Sequence, residues 1–365
     1  MNSTAIDLTV GMDFRNKSYR MEVFQRWYTH QLRYASHPGG VYYVLPYLAE
    51  KLNWDGEQCA WAAWINGNTQ NPVMTLLLMQ EGDRIEKSES VLAFYQQHYP
   101  NMNWDTDRRH QKARFEEATI QYRTLVTKGQ QKFWEGLAPQ GWAKCWEAAL
   151  ALPHMGRLSA WSYLEYVREL KVAAVPDADT LLLHDRDGSR SHRNGLCLVT
   201  GHDEWIWWRQ NPDFNGEYSQ DVIEELEDLG EDLLKEAKLR NPDNPAVGYL
   251  TLESALCTYK SWHIPNRRYV GVYNDMLYNR LKKAEQAFGH RFDLIWEARK
   301  KHLPVWMRLE HNPLDPGCVP VKQNWYLNTG QVIGMSHDWP CFENDFEKNV
   351  KKGAYYGMRK HWDRR

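Results

Sequence analysis

Residues 152–160 read Leu-Pro-His-Met-Gly-Arg-Leu-Ser-Ala, and this string constrains the fold more than any other. It lies between two segments of helical character, Trp142 to Leu150 and Trp161 to Leu170. Proline denies a helix an amide donor, glycine frees the backbone, and small residues open the next helix. Two helices must therefore meet at a tight turn. The turn is either an ordinary αα-hairpin or a helix-hairpin-helix that holds DNA. In the second case the turn amides and the positive end of the second helix face a phosphate. His154, Met155, Gly156, Arg157 and Ser159 are then the DNA-binding residues, with His154 where such elements usually carry glycine. Contacts of this kind need few basic side chains. That suits a chain of 45 basic and 47 acidic residues, net charge −2, which excludes a bulk polyanion-binding surface.

The helical period recurs along the chain. Val23, Phe24, Trp27, Tyr28, Gln31 and Tyr34 form the stripe of an amphipathic helix over Arg20 to Tyr34, broken by His37-Pro38-Gly39-Gly40. Further helices are expected at Glu57 to Ile65, Asp107 to Lys128, Asp221 to Leu239, Tyr269 to Phe288 and Asp293 to His302. The acidic run at Asp221 reads as a solvated face or, alternatively, as a partner surface. Thr180 to His184 and Leu196 to Thr200 are strand-like, and the polar run between them predicts a small β-hairpin with a long cationic tip. The expected class is mainly α, a helix-hairpin-helix DNA-glycosylase-like fold with that β-hairpin inserted. One domain over 1–365 is expected, with lobes around 1–150 plus 260–365 and 150–260 as the alternative division.

With 42% apolar residues in a chain of 365, the core is sufficient. The 18 Trp and 20 Tyr can fill it or stack on bases. Six cysteines lie far apart without a CxxC pair, so neither a zinc ribbon nor a secreted disulfide framework is indicated. Met1 to Asp13 lacks a signal-peptide pattern, and no apolar run reaches the roughly 18 residues of a membrane helix. A cytoplasmic protein is expected, without a metal or cofactor.

Helix-hairpin-helix DNA glycosylases place a carboxylate about 20 residues beyond the turn, where Asp177 and Asp179 fall. Bifunctional members carry a lysine two residues past the last hairpin glycine. Leu158 stands there, so no protein amine is available for a lyase step. The cationic tip, with Arg186, Ser189, Arg190, Ser191, His192 and Arg193, suits a diphosphate cradle or a soluble loop. Asn66, Asn68, Gln70 and Asn71, in a polar run bounded by apolar sequence, read as a loop held at an interior cleft. Gln323 and Asn324 are a second carboxamide pair. Arg267 and Arg268, with Asp275 and Arg280, could line the same cleft or form surface ion pairs; Arg280 alone is expected at the surface.

Four stretches together resemble a known family. They are His37-Pro38-Gly39-Gly40-Val41-Tyr42-Tyr43-Val44-Leu45-Pro46-Tyr47, Ile65-Asn66-Gly67-Asn68-Thr69-Gln70-Asn71-Pro72, Asp187-Gly188-Ser189-Arg190-Ser191-His192-Arg193-Asn194-Gly195, and Asp315-Pro316-Gly317 with Lys322-Gln323-Asn324. Over roughly residues 20–345 the chain is similar to the bacteriophage amino-acid:DNA transferases, grouped with the α-glutamyl/putrescinyl-thymine pyrophosphorylases of thymine hypermodification. The resemblance implies action on DNA whose 5-hydroxymethyluracil has been pyrophosphorylated by a kinase, with an amino acid or polyamine displacing the diphosphate.

The chemistry of that reaction assigns the remaining roles. The base must be flipped and stacked on rings. Ser189, Arg190, Ser191 and Arg193 would hold the diphosphate, while Asp177, Asp179 and His192 are the catalytic candidates. Asn66, Asn68, Gln70, Asn71, Arg267, Arg268, Lys322, Gln323 and Asn324 would bind base or amine. A base-excision glycosylase and a non-catalytic DNA-binding protein are the alternatives; neither needs a diphosphate cradle.

Overall fold

A computed structural model describes residues 17–303, apart from 36, 106–107, 186, 208–213 and 261–274. Among the described residues every regular element is a helix and there is no strand. The chain divides into two compact units. One comprises Met1–Gly40, Thr180–Met276 and His302–Arg365; the other comprises Val41–Asp179 and Leu277–Lys301.

The first unit is built on α1 (Lys17–Ala35), α11 (Arg190–Thr200), α12 (Gln220–Arg240) and α13 (Tyr249–Tyr259). Val23, Phe24, Trp27, Tyr28 and Leu32 are buried on α1. Each such side chain contributes about 1.5–3 kcal/mol relative to exposure. They meet Leu196, Val199, Leu226, Leu233, Leu252 and Leu256 in one core. Ser219 caps α12, its Oγ accepting from the Val222 amide at 3.3 Å. One face of α12 buries Leu226, Gly230, Leu233, Leu234 and Ala237, and the acidic residues on the other are solvated. The chain passes α13 closely at Gly195 of α11. A Cβ built there would lie 2.3 Å from the Leu256 carbonyl oxygen, so only glycine lets these two backbones touch.

The expected β-hairpin is absent. Residues 190–200 form α11, and Thr180 to His184 is irregular, with Leu182 left-handed at φ 53°. The reason is a carboxylate. Glu227 of α12 accepts the Leu181 and Leu183 amides, at 3.1 and 2.6 Å, which a partner strand would otherwise take. Asp185 then turns the chain into α11, its carboxylate accepting from the Gly188 amide at 2.9 Å.

The second unit is centred on α3 (Gly56–Thr69) and α4 (Pro72–Glu81), ringed by α2 (Val44–Leu52), α5 (Ser88–Gln97), α6 (Arg109–Lys112), α7 (Phe115–Leu125), α8 (Gln130–Leu137), α9 (Trp142–Leu150), α10 (Arg157–Glu169), α14 (Met276–Phe288) and α15 (Asp293–His302). Asp55 and Gln58 start α3 with a capping box, both bonds at 3.0 Å. Cys59 to Thr69 is entirely buried. The polar run 66–71, expected as a loop, is instead the last turn of α3 and the cap of α4. Gln70 is left-handed at φ 47°, and the Asn71 carboxamide accepts from the Val73 amide at 3.1 Å. The region expected as one helix over Asp107 to Lys128 is broken into α6 and α7. At Gly67 α10 comes close, with Tyr163 3.1 Å from where a Cβ would stand.

Candidate functional site

The buried end of α3 collects a polar cluster. The Tyr42 hydroxyl donates to Glu165 Oε2 at 2.6 Å, and Gln70 Nε2 lies 3.4 Å from the same hydroxyl. Tyr42 stacks on Tyr166 with centroids 4.5 Å apart and planes 10° from parallel. Burial, reinforced by the Glu165 charge, holds the Tyr42 phenol well above its ordinary pKa. Asn66 Oδ1 accepts from Thr75 at 2.8 Å. Its Nδ2 and Gln70 Oε1 are both buried without a hydrogen-bond partner.

Arg280 completes the cluster, donating to the Gln70 carbonyl at 2.7 Å and pairing with Asp105. The expected surface placement of Arg280 is therefore wrong, since it is 7% exposed. Its position on α14 buries it against the α3 carbonyl end, where a cation is favoured.

The other carboxamides part company. Asn68 donates to the Trp64 carbonyl at 2.9 Å and leaves Oδ1 buried and unpartnered. Asn71 caps α4 and donates to the Asn103 carbonyl at 2.6 Å. Arg186, Arg267, Arg268, Lys322, Gln323 and Asn324 lie outside the described residues. Tyr42, Glu165, Tyr166 and Asp105 were not anticipated. A signal existed for one of them: Glu165 is an acid on the buried face of α10, between Leu164 and Tyr166.

The turn between α9 and α10 is tight, as expected. His154 is left-handed at φ 58°, the conformation a glycine would take there. Its carbonyl accepts from Gln111 at 3.2 Å, and its ring lies 3.4 Å from Glu117. Met155 is buried, and Arg157 stacks over Trp161 at 5.1 Å. Ser159 Oγ accepts the Gly156 amide at 3.0 Å. Gly156 itself is exposed, with open space where a Cβ would stand. Arg108 braces the turn from inside, donating to the carbonyls of Gly67 and Leu158 at 3.1 and 3.2 Å.

Asp177 lies 3.4 Å from Arg168, and Asp179 is exposed; both belong to the second unit. In the first unit the cationic residues lie at the start of α11 rather than on a loop. Arg193 is fully buried, donating to Leu183 O at 3.0 Å and Ser189 Oγ at 2.6 Å and stacking on Tyr218. Ser189 is buried with it, its Oγ donating to the Leu183 carbonyl at 3.1 Å. Arg190 stacks over Trp207 at 4.2 Å and donates to its carbonyl at 3.3 Å. Ser191 is half-buried and bonded to Lys260. His192 is buried, with Nε2 3.1 Å from the Leu181 carbonyl and Nδ1 3.0 Å from Glu253. At the start of α11, Arg190 and Ser191 are thus half-buried and Ser189, His192 and Arg193 are turned into the core. Glu253 and Lys260 carry no sequence motif, although Glu253 is the lone acid in an apolar helix.

Two compact helical units with buried ion-bearing clusters set the class, and comparison with known proteins sets the family. The chain belongs to the amino acid:DNA transferase family, whose model matches residues 58–268, more than half of its length. It is a transferase that acts on DNA with an amino acid as co-substrate. Over 358 residues it is 25% identical to a serinyltransferase of Salmonella phage ViI, an alignment that covers 91% of this chain and 85% of that protein. No solved structure matches it. Among the described residues no helix is long and apolar enough to cross a membrane.

Proposed function

We propose that this transferase joins an amino acid to the exocyclic methylene of pyrophosphorylated 5-hydroxymethyluracil in DNA. A bond forms from the amino-acid nucleophile to the methylene carbon, the carbon–oxygen bond to diphosphate breaks, and a base takes the nucleophile's proton. The reading is carried by the cluster at the end of α3. Arg280, two carboxylates and unpartnered carboxamide atoms are held within a few side chains of one another. A zwitterionic amino acid asks for that mixture: a cation and a donor for its carboxylate, a carboxylate and an acceptor for its ammonium. Serine is the first amino acid to test, because the phage ViI relative is named a serinyltransferase.

The other roles follow from chemistry. The α9–α10 turn holds the DNA backbone as a helix-hairpin-helix, with Gly156 and the open end of α10 toward phosphate. The left-handed His154 supports this reading, since it keeps the turn a glycine would make. Arg190 and Ser191 receive the leaving diphosphate, with Ser189 and Arg193 shaping the turn beneath them. Asp177 or Asp179 accepts the proton. A kinase acting on 5-hydroxymethyluracil supplies the substrate.

The test is nucleoside mass spectrometry of DNA carrying 5-hydroxymethyluracil diphosphate, incubated with the protein and serine or a pool of amino acids. One adduct per diphosphate released is the expected result. Adducts on 5-hydroxymethyluracil lacking diphosphate, or abasic sites, would overturn the reading.

A further inference from the structure

The start of α11 and the middle of α13 bring three side chains of different chemistry to one place. One ligand atom each from His192, Glu253 and Cys257 lie within 4.8 Å of one another. Glu253 and Cys257 are one turn apart and project from the same side of α13. His192 and Glu253 are buried, while Cys257 is partly exposed and not in a disulfide.

The proton positions are fixed by the partners. His192 Nε2 lies 3.1 Å from the Leu181 carbonyl oxygen. A carbonyl only accepts, so Nε2 carries the hydrogen, and in a neutral ring Nδ1 holds the lone pair. Nδ1 lies 3.0 Å from a Glu253 carboxylate oxygen. A lone pair and a carboxylate so close, away from water, require a cation to join them. A backbone carbonyl on the remote nitrogen is also the arrangement that orients a metal-bound histidine.

We propose that His192, Glu253 and Cys257 form a binding site for one divalent cation of the zinc class. Nitrogen, thiolate and carboxylate together select such a borderline metal over calcium or magnesium, which prefer all-oxygen sites. Tetrahedral zinc places such ligand atoms roughly 3.3–3.6 Å apart, so movements of about 1 Å close the site. The thiolate and carboxylate neutralise the ion's charge, as burial demands. Among the described residues three side chains offer ligand atoms, so a fourth ligand would be water or an anionic oxygen. Sites with an open position are of the catalytic type, and closed four-ligand sites are structural.

The alternative occupant of the same gap is a proton shared by His192 and Glu253, and the experiment separates the two. Full-length protein is loaded with zinc, dialysed and measured by plasma mass spectrometry, then reloaded with cobalt(II) and scanned in the ultraviolet and visible. The expected result is about one metal per chain and a thiolate-to-cobalt charge-transfer band in the near ultraviolet. Cys257→Ser should lose the band and most of the metal. Cys257→Asp, which keeps a ligand oxygen, should retain metal and lose only the band. Wild-type protein without stoichiometric metal would overturn the site in favour of the shared proton. A band that persists in both Cys257 variants would place the metal elsewhere, and overturns it too. Neither readout depends on transferase activity, so failure here is distinct from failure of the proposed reaction.

Discussion

Gly195→Ala probes the closest backbone approach in the first unit. The added Cβ would meet the Leu256 carbonyl oxygen at 2.3 Å and its carbonyl carbon at 2.7 Å. Real Cβ atoms essentially never come within 3.0 Å of another heavy atom, so α11 and α13 must separate by at least ~0.7 Å. A gap of that size forfeits about a quarter to a half of each dispersion contact across the interface. Overpacking typically costs about 1–3 kcal/mol, and the rigid backbone partner places this case at the upper end. Alanine's helix propensity returns about 1 kcal/mol. The net expectation is destabilisation of about 2 kcal/mol, roughly a thirty-fold fall in the folded-to-unfolded ratio. The matched control is Gly136→Ala in α8, where a Cβ meets nothing within 4 Å. That variant should gain up to about 1 kcal/mol from propensity alone. Urea unfolding followed by tryptophan fluorescence measures both. A Gly195→Ala protein as stable as the parent would refute the close-packing argument, because the propensity terms of the two variants have the same sign.

Three further outcomes are expected. Glu165→Gln should raise KM for the amino acid about ten-fold, the loss of one charge-assisted hydrogen bond, and leave DNA affinity unchanged; equal losses in both would make Glu165 structural. Asp177→Asn or Asp179→Asn should slow transfer and be partly rescued at high pH, where free amine comes from solution, and a flat pH profile would remove these aspartates from the proton transfer. Arg240 and Arg26 hold the Glu22 carboxyl at about 2, below its unfolded value, so its stabilisation is complete above about pH 4.5 and is lost as pH falls through about 2. Solvent screening keeps that contribution on the order of 1 kcal/mol, and Glu22→Gln should show a stability deficit at pH 7 that vanishes in acid urea melts.

Much of the helical architecture was legible because amphipathic stripes report burial directly. The Val23–Tyr28 stripe, the Asp221 to Leu239 run and the segment from Asp293 to His302 all became helices close to the expected bounds. Several of the failures share one cause. Asn66, Asn68, His192, Arg193 and Asn194 are polar, and polar runs read as loops, yet these side chains are buried inside helices. They survive there by bonding to backbone groups that helix and strand periodicity do not display: Asn68 to Trp64, Arg193 to Leu183, Asn194 to Trp207 in both directions at 2.9 Å. Arg280 was read as a surface charge because its carboxylate partner, Asp105, is 175 residues away. The tight turn at His154 was legible, because proline and glycine act locally. The meeting of His192 with Glu253 and Cys257 was not, since only the four-residue spacing of the last two is visible along the chain.

The aromatic stripe of α1 has a consequence for how the protein is made. Its burial partners are on α11, α12 and α13, the last of which ends at Tyr259, and the whole of Val41–Asp179 is synthesised in between. At roughly 5–20 residues per second, the ribosome takes on the order of 10–45 seconds to deliver those partners after α1 emerges. For that interval Val23, Phe24, Trp27 and Tyr28 have no native surface to cover them, while the segment that follows already holds most of its own core. Until its partners arrive the stripe is an uncovered apolar face of the kind that chaperones exist to hold. A circular permutant that begins at Thr180 would make α11, α12 and α13 before α1, so that the stripe emerges with its partners already synthesised.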